Sequence, residues 1–338
     1  MRAGSSEEIV AAVREVDAAG ERLLVVGGGS NLVVGDDGFD GTVVHLESRG
    51  HTVERHDGEA LLCVEAGQDW DELVAATVDA GLGGLECLSG IPGCAGATPV
   101  QNVGAYGVEI ADLLVDVTLY DRVTDAVVTV PAAELGLDYR TSRLKHGGAS
   151  GDDGGAREVV LAVRFRLSTD GLSAPIRYAE LARTLGVEPG SRAPLAPVRQ
   201  AVLDLRRGKG MVLDEADHDT WSAGSFFTNP VVAPAVADEV ARRAAVAGRR
   251  PVTAWPTADG RVKLSAAALI ERAGVPRGHP GPGAGVRVST RHTLALTNRG
   301  AGTTAELLAL ARDVRDRVED AFGVRLVPEP VLVGCALD

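Results

Sequence analysis

Five short stretches of this chain hold residue types that can grip a phosphate or move a proton. Gly27, Gly28, Gly29, Ser30 and Asn31 follow an apolar run and lead into Leu32. Glycines leave backbone N–H groups unobstructed by Cβ, and the serine and asparagine add polar side chains, a composition suited to a pyrophosphate. An ordinary tight turn has the same composition, and the chain has neither the GxGxxG pattern that opens a Rossmann helix nor a GxxxxGK[ST] loop. A second small-residue surface, GIPGCAGATPVQNVGAYG from Gly90 to Gly107, adds Thr98, Gln101 and Asn102 as hydrogen-bonding groups. Two such loops can enclose one dinucleotide. The third stretch, Tyr139 to His146 (YRTSRLKH), crowds polar side chains into one loop between apolar strands, and a solvated turn is its plainest reading. The fourth, Ala223 to Pro230 (AGSFFTNP), reads most simply as a strand entering the core, and the fifth, Val327 to Val331 (VPEPV), carries a glutamate. There are only three lysines against 31 arginines, so Lys145, Lys209 and Lys263 stand out as positions where a compact ammonium differs in use from a planar guanidinium.

Taken in order, these segments resemble the UDP-N-acetylenolpyruvoylglucosamine reductase (MurB) family, within the vanillyl-alcohol-oxidase-type flavoproteins. The tyrosine–arginine loop is close to that family's YRxSxFK motif, the double-phenylalanine segment to GSFFKNP, and the final one to a Pro-Glu step before a last strand. Collinearity from Gly27 to Val331 is stronger than any single motif. The resemblance implies FAD held by Gly27, Gly28, Gly29, Ser30, Asn31 and Leu32 and by Ile91, Pro92, Gly93, Gly96, Ala97, Thr98, Gln101, Asn102, Gly104, Ala105, Tyr106 and Gly107. It implies catalytic roles for Arg140 at the substrate carboxylate, Ser225 as proton donor and Glu329 facing the reacting carbons. Substrate contacts fall by the same transfer on Tyr139, Tyr178, Lys209, Asn229 and His292, with Lys209 at the diphosphate and Lys263 as a charge on a helix surface. Covalent flavin attachment is not expected, although Cys94 sits in the second loop. Thr228 stands where the family often has lysine, and Pro330 replaces a β-branched residue. The activity implied is reduction of UDP-N-acetylglucosamine enolpyruvate to UDP-N-acetylmuramate with NADPH as electron donor. A flavin oxidase on the same scaffold and a silent binder of the UDP-sugar remain as alternatives, which peroxide formation and a colourless protein would respectively favour.

The elements that must position these residues can be read from spacing. Ser5 and Glu8 form a capping box ahead of Ile9, Val13 and Val16 at helical spacing, and Gly20 ends that helix. Asp69 to Ala80 reads as a helix burying Trp70, Leu73, Val74 and Val78, and helices follow at Pro197 to Arg207, Val232 to Ala247, Leu264 to Ala273 and Ala305 to Phe322. Short strands are expected at LLVV, LVV, GTVVHL, ALLCVEAG, DVTLYD, AVVTVP and EVVLAVRFRL, with a surface turn at Gly147 to Gly155. The fold class expected is α+β: a two-lobed FAD-binding domain, residues 1–60 (rejoined by 327–338) and 61–200, plus an α/β substrate-binding domain at 201–326.

Composition narrows the partners. A formal charge of −13 argues against nucleic acid, whose binding proteins carry a basic face. No run of about 18 apolar residues occurs, and acidic residues stand where a signal peptide would be apolar, so a cytoplasmic monomer without a metal is expected. Cys63, Cys87, Cys94 and Cys335 lack metal or disulfide spacing and read as reduced thiols.

Overall fold

The helix Ser6–Ala19 starts where Ser5 accepts from the Glu8 N–H and stops at Gly20 in the left-handed region, with Ile9, Val10, Val13 and Val16 buried along one face. That face packs on a three-stranded parallel sheet in which Thr42–Leu46 lies between Arg2–Ala3 and Leu23–Val26. In this computed structural model, which describes residues 1–146 and 156–337, the expected turn at 147–155 lies outside the described residues. A second, antiparallel sheet has five strands in the order Ala126–Pro131, Leu114–Asp121, Glu158–Ser168, Glu59–Glu65 and His51–His56. The helix Trp70–Asp79, capped by Asp69, buries Trp70 edge-on against Phe165 with ring centroids 5.9 Å apart.

These elements form one compact unit, residues 1–29 and 40–207; residues 30–39 and 208–338 form the other. The division differs from the three segments expected: 1–60 and 61–200 fall together apart from 30–39, and 327–338 cluster with the C-terminal unit. The physical cause lies in residues 30–39. Leu32–Val34 pairs in parallel with Val331–Val333, and the Asp36 carboxylate accepts from the N–H groups of Thr304 and Ala305 at the start of the helix Thr304–Phe322. Thr303 and Glu306 complete a capping box at the same terminus.

The second unit is otherwise built from the helices Pro234–Val246, Ala266–Arg272 and Thr304–Phe322 and from strands of two or three residues. Phe226, Phe227, Leu269, Ile270, Val314, Val318 and Phe322 form its core. Lys263 is not on a helix, as expected, but central in the strand Val262–Leu264, between Val231 and Trp255; the following helix starts only at Ala266. No helix among the described residues is long and apolar enough to cross a membrane. Mixed helices and strands in two units make the fold α+β.

Candidate functional site

In the first unit the two glycine-bearing stretches meet. A Cβ placed on Gly28 would lie 2.8 Å from the Cα of Gly93, so that position tolerates nothing larger than hydrogen, and one on Gly27 would lie 3.2 Å from the Cβ of Cys94, a tight approach to a side chain. Beside the contact lies a cleft of about 500 Å³ lined by Gly28, Gly67, Gly93, His45, Glu47, Arg49, Asp69 and Cys94. Gly67 is there because its Cβ would strike the Ser48 backbone at 2.7 Å. A slot with glycine walls leaves a dinucleotide diphosphate room to approach the backbone. His45, Glu47, Arg49, Gly67 and Asp69 were not singled out from sequence; the one signal was Gly67 closing a strand, and their convergence is tertiary. The boundary between units passes through the glycine turn itself: Gly27, Gly28 and Gly29 belong to the first, Ser30, Asn31 and Leu32 to the second.

Gly104 and Asn102 carry Arg140. The guanidinium donates from Nη2 to the Gly104 carbonyl at 2.7 Å and from Nη1 to that of Asn102 at 3.4 Å, and Cζ lies 5.3 Å from the Tyr139 ring centroid. Ser142 donates to the Val100 carbonyl at 2.5 Å and Lys145 to the Arg140 carbonyl at 3.3 Å, so the loop at 139–145 is stitched onto the second glycine-bearing stretch. Asn102 is buried, and its side chain donates to Glu109 and to the Asp138 carbonyl while accepting from the Ala111 N–H. Those contacts make its side chain a clamp within the protein, and Thr98 likewise turns its hydroxyl to the Ala95 carbonyl. Arg140, Asn102 and Tyr106 all adopt positive φ, at 55°, 45° and 51°. Tyr106 stacks edge-on against Tyr178, centroids 5.4 Å apart, and Tyr178 is 43% exposed. Ile91, Ala97, Gln101, Ala105 and Gly107 follow the same stretch, Gly107 with positive φ beside Arg177, while Pro92 is exposed and Gly96 is packed on Ala66.

In the second unit Ser225 and Glu329 sit on adjoining segments. Ser225 bridges Ala295, Phe226 donates to the Leu294 carbonyl at 2.7 Å, and the Glu329 N–H donates to the Phe226 carbonyl at 2.8 Å. The Ser225 Oγ lies 3.4 Å from His292 Nε2. Phe226 and Phe227 pack edge-on in the core and anchor Ser225 from the buried side, as a strand entering the core would. Asn229 accepts the Ala266 N–H at 2.9 Å, so its oxygen serves the start of a helix. Lys209 is half-buried beside Gly210, whose Cβ would meet Arg291 at 3.2 Å. Asp219, almost fully buried, accepts from Ser289, Thr290, Arg291 and Arg299; those donors hold its carboxyl below the ordinary range against the opposing push of burial.

Thiol placement is uneven. All four cysteines are free; burial pushes the Cys87 thiol up to about 12 and also raises that of Cys94 in the cleft.

Comparison with known proteins gives a consistent result. The sequence model described as "FAD binding domain" matches residues 1–130, and that described as "UDP-N-acetylenolpyruvoylglucosamine reductase, C-terminal domain" matches residues 215–333. The UDP-N-acetylenolpyruvoylglucosamine reductase of Saccharopolyspora erythraea is 62% identical over 338 residues, spanning 99% of this chain and 90% of its own. That of Streptomyces coelicolor is 55% identical over 345 residues, spanning 100% and 85%. Among solved structures, the reductase of the same name from Thermus caldophilus superposes with a TM-score of 0.62 at 23% identity, covering 98% of this chain and 91% of its own, a likeness of fold.

Proposed function

The chain belongs to the UDP-N-acetylenolpyruvoylglucosamine reductase family, and from that premise we infer that it reduces UDP-N-acetylglucosamine enolpyruvate to UDP-N-acetylmuramate, a step of peptidoglycan precursor synthesis. FAD is its cofactor and NADPH its electron donor. The observation that carries the reading is 62% identity along nearly the full length of a named reductase.

The chemistry FAD supplies when bound is hydride transfer, from NADPH and then to the enolpyruvyl ether. Gly27, Gly28 and Gly93, with the cleft residues Arg49 and Gly67, are the groups that would hold its diphosphate. Arg140 is assigned to the substrate carboxylate; its two carbonyl contacts hold the guanidinium fork in a fixed direction, which suits bidentate pairing. Charge that develops on the carbon next to that carboxylate is stabilised by such a preorganised cation. Ser225 is assigned the proton that quenches this charge, which a weak acid can deliver only when the carbon is strongly basic and the hydroxyl is held close. Glu329 is assigned to the same reacting carbons, and Lys209, Asn229, Tyr139 and Tyr178 to the UDP-sugar. We also place the protein in the cytoplasm as a monomer, where NADPH and nucleotide sugars are made; sedimentation at a single-chain mass tests the second point.

Ser225→Ala separates the two half-reactions. NADPH should still bleach the yellow protein, while formation of UDP-N-acetylmuramate falls by roughly 10²–10⁴-fold. Full turnover by this variant removes Ser225 as donor, and a wild-type protein that neither holds flavin nor consumes NADPH sinks the reading altogether.

A further inference from the structure

We propose that His292 is a positioning residue for Ser225: its Nε2–H donates to the serine Oγ, turning the hydroxyl proton outward and stabilising the oxygen as it gives that proton up. The proposal rests on the reductase reading above and adds to it a group that acts through the serine rather than on the UDP-sugar.

The backbone delivers this imidazole with little freedom. Ser289 is fully buried and donates its hydroxyl to Asp219 at 2.9 Å, while its Oγ accepts from the N–H groups of Arg291 at 3.0 Å and His292 at 3.1 Å. Ala295 closes the turn by donating to the His292 carbonyl at 3.0 Å. The same Ala295 bridges Ser225, so the turn carrying the imidazole and the segment carrying the hydroxyl are joined by main-chain bonds, and Nε2 and Oγ come to 3.4 Å. That separation is long for a finished hydrogen bond, as catalytic contacts often are before substrate binds.

The chemistry gives the contact a purpose. A serine hydroxyl is a poor acid, and protonating carbon leaves an alkoxide with nothing to spread its charge. A donor aimed at the oxygen lowers the energy of that alkoxide and leaves the O–H free to point at the acceptor. In the step, the carbon lone pair takes the proton, the Oγ–H bond breaks with its electron pair remaining on oxygen, and the alkoxide then takes a proton from water, releasing hydroxide. His292 loses no proton in the balance. It must carry hydrogen on Nε2, which fixes the tautomer the role requires.

The test compares His292→Gln, whose amide keeps an N–H at similar reach, with His292→Leu and the shorter His292→Asn, which do not. With holoenzyme, the Leu and Asn variants should lose about 100-fold in kcat with KM for the enolpyruvyl substrate moving less than about threefold, and Gln should recover to within about tenfold of wild type. Combining His292→Leu with Ser225→Ala should cost no more than Ser225→Ala alone, because a positioning residue has nothing left to position. A readout independent of turnover uses the full chain labelled with 15N-histidine: the ring resonance missing in His292→Gln should shift in Ser225→Ala. Equal losses in Gln, Asn and Leu, an additive double variant, or a His292 ring unmoved by Ser225→Ala overturns the proposal. Failure of wild-type protein to make UDP-N-acetylmuramate instead rejects the reductase reading, and the proposal with it; the 15N shift shows separately whether the contact exists.

Discussion

A hydrogen is all that Gly28 can present to Gly93, since a methyl there would sit 2.8 Å from a backbone carbon with no flexible end to yield. Gly28→Ala should therefore force the two loops apart, and the purified variant should carry at least about tenfold less flavin, read as the ratio of visible to ultraviolet absorbance. At this scale residue type was legible and adjacency was not. The glycines drew attention by what they lack, whereas Arg49 and Asp69 look like any surface charges until the chain brings them to the cleft. Asn102 shows what tertiary contacts add: a polar side chain in a glycine-rich loop suggests a ligand contact, and here, buried at a positive φ, it also ties its loop to Glu109, Ala111 and Asp138. Of the five non-glycine residues at positive φ among the described residues, three, costing about 1–3 kcal/mol each, lie in the two loops assigned to cofactor and carboxylate.

Elements were legible where local rules set them. The cap at Ser5 lies where the sequence put it, because a cap needs only residues three apart. His51–His56 escaped notice because an edge strand exposed at every position shows no alternation, and the strands of the second unit are too short to show any. In the larger sheet, Phe165 is wholly buried against Trp70, so Phe165→Ala should cost about 3–5 kcal/mol, measured by urea unfolding of the flavin-loaded protein. On the same sheet Arg157 holds the Asp121 carboxyl down at about 2, from an ordinary 3.8. A folded value below the unfolded one means the stabilisation is complete above pH 3.8 and disappears as pH falls through about 2. Arg157→Ala should lower the melting temperature at pH 8, with the difference from wild type shrinking as pH falls through about 2; a melting temperature unmoved at pH 8 would show that the pair is silent.

For the molecule as a whole, a break near residue 200 was visible as a change from strands to alternating helices, and contacts divide the chain close by, at Arg207 and Gly208. The excursion of residues 30–39 into the second unit could not be read, because nothing in LVVGDD says which helix its aspartate will cap. A piece consisting of residues 208–338 therefore lacks both the partner of Val331–Val333 and the Asp36 cap. It should be less soluble and melt less cooperatively than the intact chain, by sedimentation and circular dichroism. Full solubility and a sharp melt from that piece would show that residues 30–39 add little.

The parallel pairing of Leu32–Val34 with Val331–Val333 also sets a schedule for birth on the ribosome. Val33 must wait for Cys335, 302 residues later, whose thiol meets its carbonyl. At about 5–20 residues per second the early segment spends roughly 15–60 s without its neighbour. During that interval the nascent protein trails a short valine-rich ribbon that a chaperone could shelter and a stray strand could capture.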